Sequence, residues 1–437
     1  MAGGLLSGAS TATSQVPPRE NATALPLKDA AVHRAAKPPV VSLKLDRART
    51  TTAKRVGLTI VVRPAPGQSA SARARQLRSL RTGRVKVVEK GGGRQHSIRA
   101  RLVDHRVHVL LPGLVPSVHR VRATFLGNQL LRRAQSPTRS LVVLAPRGTS
   151  AHFPRAGTTG VPAGVTLHDY KGPCVIQTDH TVIDGKTIGC GLTIQARHVV
   201  IKNSSLRTVW LDQDVMHAQH RHGWSVRIVD SVVDGGHSDG PGVCCGNYRV
   251  VRVEMKGGHN GAQCENGASY CVLTDSWIHA QYEPSGGLRH LGGFLNDGGT
   301  PTTLIHNRIT CDAWAENDEG GCTGDVNLIP NFGVMAGVLV QNNYLGANAN
   351  AAYCTYAGAT PGLPGYARRS NHIVYVDNVF GKNDVVSAPA PHPGSTKRCA
   401  DYGPVTGFDV DGPGNYWNSN HYENGTVIVC GRKHRCD

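Results

Sequence analysis

The amino-acid sequence predicts an all-β protein in which a small β-sandwich is followed by a solenoid of parallel strands, a parallel β-helix. Short segments of alternating apolar and polar residues recur from about residue 38 to 145, separated by polar, Gly or Pro turns. A second strand motif recurs beyond residue 155 at intervals as short as 22 residues, which is typical of a solenoid. Abundant glycine, 52 of 437 residues, agrees with closely stacked coils.

The chain is too long for one ordinary domain, and its composition changes along its length. Residues 1–37 are rich in Ala, Ser, Thr and Pro and predict a disordered leader or linker. We place the sandwich at 38–145, a linker at 146–155 and the solenoid at 156–437. No apolar run is long enough to span a membrane, and the first residues lack a recognisable secretory signal.

Seven segments between residues 38 and 145 predict the strands of the sandwich, and this region has no cysteine. These segments are VVSLKLD (40–46), GLTIVVRP (57–64), RVKVVE (84–89), SIRARL (97–102), RVHVLL (106–111), HRVRATFLG (119–127) and SLVVL (140–144).

One stretch of the sandwich, residues 102–136, resembles the bacterial Ig-like repeat of surface and secreted proteins. That repeat ends in an LPGL…G-x-H-x-V-x-A-x-Y-x-G pattern, and Phe125 stands here where Tyr is usual. The matching residues are Leu111, Pro112, Gly113, Leu114, His119, Val121, Ala123, Phe125 and Gly127. The resemblance implies a spacer or adhesion module.

In the solenoid, seven strands each end in a small polar pair followed by an apolar residue. The strands are VVIKNSSL (199–206), VRIVDSVV (226–233), YRVVRVEM (248–255), CVLTDSWI (271–278), TTLIHNRI (302–309), VLVQNNYL (338–345) and IVYVDNVF (373–380). Their last residues lie 27, 22, 23, 31, 36 and 35 positions apart. We expect these residues to form one interior column, with coils stacked about 4.8 Å apart. Segments 280–301, 310–336 and 346–371 are expected to leave the coil as loops.

Residues 153–430 resemble the right-handed parallel β-helix proteins of the pectate-lyase-like superfamily, and within it a group of secreted actinobacterial and phage-associated proteins. The resembling segments are FPRAGTTGVPAGVTL (153–167), TVIDGKTIGCGLTIQARHVVIKNSSL (181–206), GCTGDVNLI (321–329) and YGPVTGFDVDGPGNYWNSN (402–420). The resemblance implies a right-handed coil. It leaves the activity open, because the superfamily contains lyases, hydrolases, epimerases and binding proteins.

All twelve cysteines lie at or beyond Cys174, and their spacing is that of disulfides in an oxidising compartment more than that of a zinc site. Free or metal-bound thiols are the alternative. Proximity suggests the pairs Cys174–Cys190, Cys311–Cys322, Cys354–Cys399 and Cys430–Cys436. The adjacent residues Cys244 and Cys245 are expected to seek distant partners. An extracellular or cell-surface location follows.

Charge is divided unequally along the chain. Residues 1–155 contain 28 Lys and Arg against 5 Asp and Glu, whereas residues 156–437 contain 20 against 25. The basic half predicts attraction to a polysaccharide or a cell-wall polyanion, and a merely solvated basic surface is the alternative. No motif indicates a specific nucleic-acid partner. The oligomeric state is not determined by the sequence.

His237 and His259 occupy equivalent positions in GGHSDG and GGHNGA, four residues beyond Val233 and Met255. We expect them to lie one coil apart, about 4.8 Å along the axis. Either they form a stacked turn, or they contact carbohydrate or a metal together with oxygen donors such as Asn260. No third ligand stands at a compelling spacing.

The segment CDAWAENDEGGC (311–322) is the densest acidic stretch, and carboxylates in one loop are the ligands that Ca²⁺ prefers. A solvated insertion is the alternative. The candidate metal ligands are Asp312, Glu316, Asp318, Glu319 and Asp325.

The segment RHLGGFLNDGG (289–299) has Gly292 where related β-helix proteins often carry Asp, which argues against a hydrolase. The candidate catalytic residues are Arg289, His290, Asp297 and Asp318, because a lyase needs a base beside Ca²⁺ and a hydrolase needs carboxylates. The candidate substrate-binding residues are His237, His259, Asn260, Tyr282, Glu283, Asn296 and Trp314. The alternative is that these residues are surface side chains of Gly-rich loops without a role in binding or catalysis.

These observations predict an extracellular polysaccharide-binding β-helix protein, with a polysaccharide lyase or glycoside hydrolase activity located at residues 279–325. A non-enzymatic structural or adhesive surface protein, or a phage-associated one, is the alternative.

Overall fold

A computed structural model describes residues 38–146, 152–211, 216, 223–283, 289–313, 320–348, 351–359, 365–382, 399–400, 402–431 and 435–436. Nearly all regular structure is β, and the long part of the chain is a right-handed parallel β-helix. Among the described residues, no helix has the length and apolarity needed to cross a membrane. The predicted leader (1–37) lies outside the described residues, and the domain boundaries stay a prediction.

Two sheets face each other in the first part of the chain, and their strand pairs are antiparallel except for one parallel pair at an edge of the larger sheet. In chain order the strands are β1 (Val40–Leu45), β2 (Arg49–Thr51), β3 (Gly57–Arg63), β4 (Arg84–Gly91), β5 (Arg94–Arg101), β6 (Arg106–Leu110), β7 (Ser117–Phe125), β8 (Ala134–Gln135) and β9 (Arg139–Leu144). One sheet has the order β1-β3-β6, and the other has the order β2-β9-β7-β4-β5 with β8 paired to β7. Leu58 and Ile60 from the first sheet pack with Val121 and Phe125 from the second, so alternating residues of both sheets form one core.

An α-helix that the sequence analysis does not predict follows β3. It is α1 (Ala70–Ser79), capped by Ser69, whose hydroxyl accepts a hydrogen bond from the backbone N–H of Ala72 at 3.3 Å. None of its residues is buried, so it has no apolar stripe that a search for periodicity would detect. Two short 3-10 helices, at Leu80–Thr82 and Ala367–Arg369, complete the helical structure described.

The β-helix is built from three sheets, and each coil contributes one strand to each sheet in turn. Sheet 1 contains β10 (His168–Asp169), β13 (Lys186–Ile188), β16 (Ser205–Leu206), β19 (Val232–Asp234), β22 (Glu254–Lys256), β25 (Trp277–His279), β28 (Arg308–Ile309), β31 (Tyr344–Leu345), β34 (Val379–Phe380) and β37 (His421–Tyr422). Sheet 2 contains β11 (Val175–Ile176), β14 (Leu192–Ile194), β17 (Val209–Trp210), β20 (Val243–Cys244), β23 (Asn260–Cys264), β26 (His290–Asn296), β29 (Gly321–Leu328), β32 (Thr355–Ala357), β35 (Val405–Thr406) and β38 (Arg435–Cys436). Sheet 3 contains β12 (Val182–Asp184), β15 (Val199–Lys202), β18 (Val226–Val229), β21 (Tyr248–Val251), β24 (Cys271–Thr274), β27 (Thr302–Ile305), β30 (Ala336–Gln341), β33 (Asn371–Val376) and β36 (Tyr416–Asn418).

The interior column predicted from the repeat is confirmed. Its members pair in parallel register along sheet 1 and belong to one buried core: Leu206, Val233, Met255, Ile278, Ile309, Leu345 and Phe380. The small polar pair before each of these residues forms the turn from sheet 3 to sheet 1. From β15 onward that turn has two residues in every coil.

The first residue of each of these turns has positive φ, and the second is fully buried. The second residues are Ser204, Ser231, Val253, Ser276, Asn307, Asn343, Asn378 and Asn420. The Ser and Asn side chains among them bond to the backbone of the coil before them, and Val253 interrupts the series; for example, the backbone N–H of Asn343 donates to Asn378 Oδ1 at 3.0 Å. The repeated polar pair is therefore a structural ladder. The turns between sheets 1 and 2 vary far more, from 2 residues after β16 to 24 after β34.

The prediction that segments 280–301, 310–336 and 346–371 leave the coil as loops is wrong in part. Each segment contains a strand of sheet 2, namely β26, β29 and β32. These strands escaped detection because β26 and β29 contain glycine pairs or scattered glycines in place of alternating Val and Ile. Each of the three segments thus contributes to the sheet itself.

All twelve cysteines form disulfides. The four predicted pairs are confirmed: Cys174–Cys190, Cys311–Cys322, Cys354–Cys399 and Cys430–Cys436. The expectation of distant partners for Cys244 and Cys245 is wrong, because these neighbours bond to each other across a cis peptide. The sixth bond joins Cys264 to Cys271. Six disulfides suit an oxidising environment.

The sandwich packs against the outer surface of sheet 3. Val118 and Val142 contact Leu339 and Val374 in a small apolar cluster. The Gln341 amide bridges to the backbone of Ala145, accepting from its N–H at 2.9 Å and donating to its C=O at 3.1 Å.

Candidate functional site

The outer surface of sheet 2 carries a column of aromatic and amide side chains. Strand pairing places these outward-facing residues in register over successive coils, with Cys244 between the first two: Trp210, Gln263, Leu295, Asn327 and Tyr356. Their neighbours Val209, Phe294 and Val326 belong to the core. Because side chains alternate along a strand, the column faces outward. We call these five residues the sheet 2 face.

Aromatic rings stand at both ends of the sheet 2 face. Trp210 is 39% exposed, which is unusual for so large an apolar side chain. At the other end Tyr356 packs edge-on against Tyr353, with ring centroids 5.5 Å apart, and Tyr353 in turn contacts the exposed Tyr402. Five coil steps separate Trp210 from Tyr356, or about 24 Å at the usual strand spacing.

Amide groups lie between the two aromatic ends. Asn260 Nδ2 donates to Gln263 Oε1 at 3.3 Å, and Gln263 Nε2 donates to Asp297 Oδ2 at 3.4 Å. Among the described residues, Asn260 Oδ1 and Asn327 Oδ1 are buried and have no hydrogen-bond donor. An unpaired buried acceptor is costly, so these two oxygens call for a donor.

Gly292 lies between these two asparagines. A Cβ atom there would stand 2.5 Å from Asn327 Nδ2 and 2.9 Å from Asn260 Oδ1. Glycine is therefore required by the close approach of two amides. This gives a physical reason for the residue that the sequence analysis noted as a missing aspartate.

Asp297 is a strongly perturbed carboxylate that borders the sheet 2 face. Its side chain is 8% exposed, and burial raises its pKa to about 6, with the Gln263 hydrogen bond opposing the rise. Glu265 follows Cys264, which pairs with Asn296, so Glu265 lies one coil from Asp297. Two carboxylates are thus near one another beside Gln263.

Arg289 lies at the opposite end of β26 from Asp297. Arg289 Nη1 contacts Asp239 Oδ1 at 2.6 Å, and this hydrogen bond raises the pKa of Arg289 and lowers that of Asp239. Strand β26 is seven residues long, so these two predicted catalytic residues stand about 25 Å apart. The structure therefore does not bring Arg289 and Asp297 together.

The paired histidine motifs do not stack on each other. The His237 ring stacks on Tyr282, with centroids 4.1 Å apart, while His259 Nε2 lies 3.1 Å from the backbone O of His290. Burial lowers the pKa of His259. The Arg289 end of sheet 2 therefore carries a group of ring side chains, namely His237, His259, Tyr282 and the exposed His290.

The remaining predicted residues have other surroundings. Asn296 points into the coil, where its Nδ2 donates to Thr300 O and Thr302 Oγ1 and its Oδ1 accepts from Gly298 N. Glu283 Oε1 accepts from Arg289 N at 3.3 Å, and its Oε2 is buried with no described partner.

Two members of the predicted calcium set are described. Asp312 accepts from Ala280 N, and Asp325 Oδ1 accepts from Cys311 N at 2.7 Å. Burial raises the pKa of both carboxyl groups, which favours their protonated forms. Trp314, Glu316, Asp318 and Glu319 lie outside the described residues. The Ca²⁺ site therefore stays a prediction.

Trp210, Gln263 and Asn327 were not found from the sequence. Gln263 and Asn327 occupy matching positions in NGAQC and GDVNL, yet the glycines in these strands obscure the alternation. Trp210 belongs to a two-residue strand, which is too short to show any period.

Comparisons with known proteins add little to this geometry. No protein-family model matches the chain, and no curated protein sequence is similar to it. Among solved structures, the chain is similar to pectate lyase PelI from Erwinia chrysanthemi in complex with tetragalacturonic acid, at 9% identity. The match covers 87% of this chain and 89% of that one, with a TM-score of 0.16, which is too low to relate the two sites.

Proposed function

We propose that this protein is an extracellular polysaccharide-binding β-helix protein and that the sheet 2 face holds the polysaccharide. The observation that carries the proposal is the aligned column of Trp210, Gln263, Asn327 and Tyr356. Sugar rings pack their C–H faces on aromatic side chains, and amides bond sugar hydroxyls. Gln263 is the partly exposed amide of the column, whereas Asn260 and Asn327 are buried.

Secretion and an Ig-like identity for the sandwich belong to this proposal. Six disulfides support a location in an oxidising environment outside the cell. The partner is a polysaccharide or a cell-wall polyanion. The sandwich acts in this proposal as a spacer that positions the coil.

The test measures binding of purified full-length protein to a panel of neutral and uronic-acid polysaccharides by affinity electrophoresis. Trp210→Ala and Tyr356→Ala are each expected to weaken binding about tenfold, since stacking on one aromatic ring contributes roughly 1–2 kcal/mol. Tyr366→Ala is the matched control, because Tyr366 directly precedes the 3-10 helix Ala367–Arg369 and belongs to no strand of sheet 2. Equal loss in all three variants, or no binding to any polysaccharide, would contradict the proposal.

Cleavage is a second candidate function, favoured by Asp297. A carboxyl group with a pKa of about 6 donates protons near neutral pH, and Glu265 supplies a second carboxylate one coil away. The same panel, assayed for reducing ends and for absorbance of unsaturated products with and without Ca²⁺, separates the classes. Reducing ends that form without unsaturated products, and that are lost in Asp297→Asn, indicate a hydrolase. Calcium-dependent unsaturated products lost in Arg289→Ala or Asp318→Ala indicate a lyase, and binding without products indicates a non-enzymatic adhesive or phage-associated protein.

A further inference from the structure

The outer surface of the six-stranded sandwich sheet is strongly basic. The described sandwich, residues 38–146, contains 22 Lys and Arg against three Asp and Glu. One of those acids, Glu89, is buried between His96 and His119. Seven cations lie on outward-facing positions of three adjacent strands: Arg84, Lys86, Lys90, Arg99, Arg101, Arg120 and Arg122. We call these seven residues the basic face.

The strand register puts like charges directly opposite each other on the basic face. Arg84 pairs with Arg101, and Lys86 pairs with Arg99. Across the next strand, Lys90 pairs with Arg120. Like charges at opposed positions destabilise a sheet, and three such pairs add their costs. An anion bound between the charged side chains of neighbouring strands would reduce this repulsion.

No member of the basic face takes part in an ion pair with any other described residue. Some cations of the coil are paired with carboxylates: Arg252 contacts Asp230 at 2.6 Å and Lys202 contacts Asp184 at 2.9 Å. The basic face has no such pair and leaves its charges for an external partner.

The basic face opens into a cleft against the coil. A cavity of about 610 Å³ is lined by Lys86, Lys90, Arg120, Arg122 and Arg133 on one side and by Asn371 and His372 on the other. A neighbouring depression of about 450 Å³ shares Lys90 and Arg120 and adds Arg94. The two cavities adjoin at Lys90 and Arg120, and we call them together the basic channel; no described residue that lines either cavity carries a carboxylate.

Neutral groups hold one guanidinium of this channel in place. Arg122 donates to Thr138 Oγ1 from Nε at 3.0 Å and from Nη2 at 2.8 Å, and to Gln135 Oε1 from Nη1 at 3.3 Å. These contacts fix the side chain without cancelling its charge. A pre-oriented guanidinium loses less entropy when it binds an anion.

We propose that the basic face and its cleft bind an acidic polysaccharide through its carboxylates. Cations stand about 4.8 Å apart between strands and about 7 Å apart along a strand, which suits a polymer with an anion on each repeating unit. Guanidinium groups bond carboxylates through two parallel N–H donors. The outward positions between the cations carry Val88, Gln95 and Ser97, and the rings that line the cleft are Tyr270 and His372 on the coil side.

The proposal is independent of the sheet 2 face. The experiment uses full-length protein and fluorescently labelled polygalacturonate, with fluorescence anisotropy measured at several NaCl concentrations. Arg120→Ser/Arg122→Ser is expected to raise the Kd at least tenfold, a loss of about 1.4 kcal/mol of binding free energy, because two charge-assisted contacts to carboxylates are removed. Binding of the unmodified protein is expected to weaken as salt screens the charges. Trp210→Ala, which tests the sheet 2 face, is expected to retain this salt-sensitive binding.

The matched control is Arg63→Ser/Arg106→Ser, which removes the same charge from outward positions of the opposite sheet. It is expected to change the Kd less than about twofold. Arg120→Lys/Arg122→Lys keeps the charge and is expected to bind with intermediate affinity, which separates recognition from a folding defect. Equal losses in the two Ser variants, equal binding of fully methyl-esterified polygalacturonate, or tighter binding of single-stranded DNA at the same salt would each overturn the proposal.

Discussion

Asn343 Oδ1 accepts two hydrogen bonds from Asn307 in the preceding coil, one from its backbone N–H and one from its side-chain amide, both at 2.9 Å. Both residues are fully buried. One oxygen atom therefore satisfies two donors that no water reaches, and the same arrangement recurs between Asn378 and Asn420.

Replacement of Asn343 should destabilise the coil. Asn343→Ala leaves the backbone N–H of Asn307 and one of its two side-chain N–H groups unpaired, while the other still donates to Leu273 O, at a cost of about 1–3 kcal/mol for each unpaired group. We expect a fall of about 3 kcal/mol in the free energy of unfolding, measured by urea denaturation. Asn343→Ser should lose less, because Ser occupies the equivalent turn position at Ser204, Ser231 and Ser276. A Ser variant as unstable as the Ala variant would show that the ladder does not work through its acceptor.

A side chain at Gly292 should disrupt the centre of the sheet 2 face. Gly292→Ala places a Cβ atom 2.5 Å from Asn327 Nδ2, so an amide must move. We expect loss of about 1–3 kcal/mol of stability and a clear loss of polysaccharide binding. Gly189→Ala is the control, because no atom lies within 4 Å of a Cβ added there. Unchanged binding by Gly292→Ala would remove the two asparagines from the proposed site.

Asp297 should make stability depend on pH in a definite direction. Its folded pKa of about 6 lies above the ordinary value of 3.8, so the folded state binds the proton more tightly than the unfolded state does. The resulting stabilisation is complete below about pH 3.8 and is lost as the pH rises through about 6. Asp297→Asn should abolish this dependence and be the more stable protein at pH 8, by up to about 3 kcal/mol. The urea midpoints of the unmodified protein and of Asp297→Asn at pH 4 and pH 8 measure this dependence. An identical pH profile for the two proteins would contradict the prediction.

Removal of the Cys354–Cys399 disulfide should lower the free energy of unfolding more than removal of the Cys430–Cys436 disulfide does. The first closes a separation of 45 residues and the second a separation of 6, and the unfolded chain gains more freedom when the longer loop opens. We expect losses of about 4 and 2 kcal/mol for the paired Cys→Ser variants. Denaturant titration of the two variants side by side gives the difference. The reverse order would mean that native-state contacts outweigh loop entropy here.

The sequence predicted the parts of the fold that repeat with a clear chemical signature. Leu206, Val233 and Met255 are large, apolar and preceded by a polar pair, so sheet 1 and its turn were visible. Sheet 2 was hidden, because β26 and β29 contain glycines and irregular spacing. Glycine hides alternation, since it has no side chain to point inward or outward.

The candidate site was found only in outline for the same reason. Asp297 and Asn260 were predicted and lie beside the sheet 2 face, since both hydrogen-bond Gln263. Their connection through Gln263, and the alignment with Trp210, depend on strand pairing that one sequence does not reveal. The basic face likewise depends on register: the excess of Arg was evident, but not that Lys90 stands opposite Arg120.

The turns at the corners of the coil differ in length, and this difference determines where the sequence can accept insertions. The corner between sheets 3 and 1 has two residues from β15 onward and is tied together by the buried ladder, so an inserted residue there would break bonds in two neighbouring coils. The corner between sheets 1 and 2 already tolerates from 2 to 24 residues. New specificities can thus be grafted along one edge of the molecule, next to Arg289 and His237, while the opposite edge preserves the architecture.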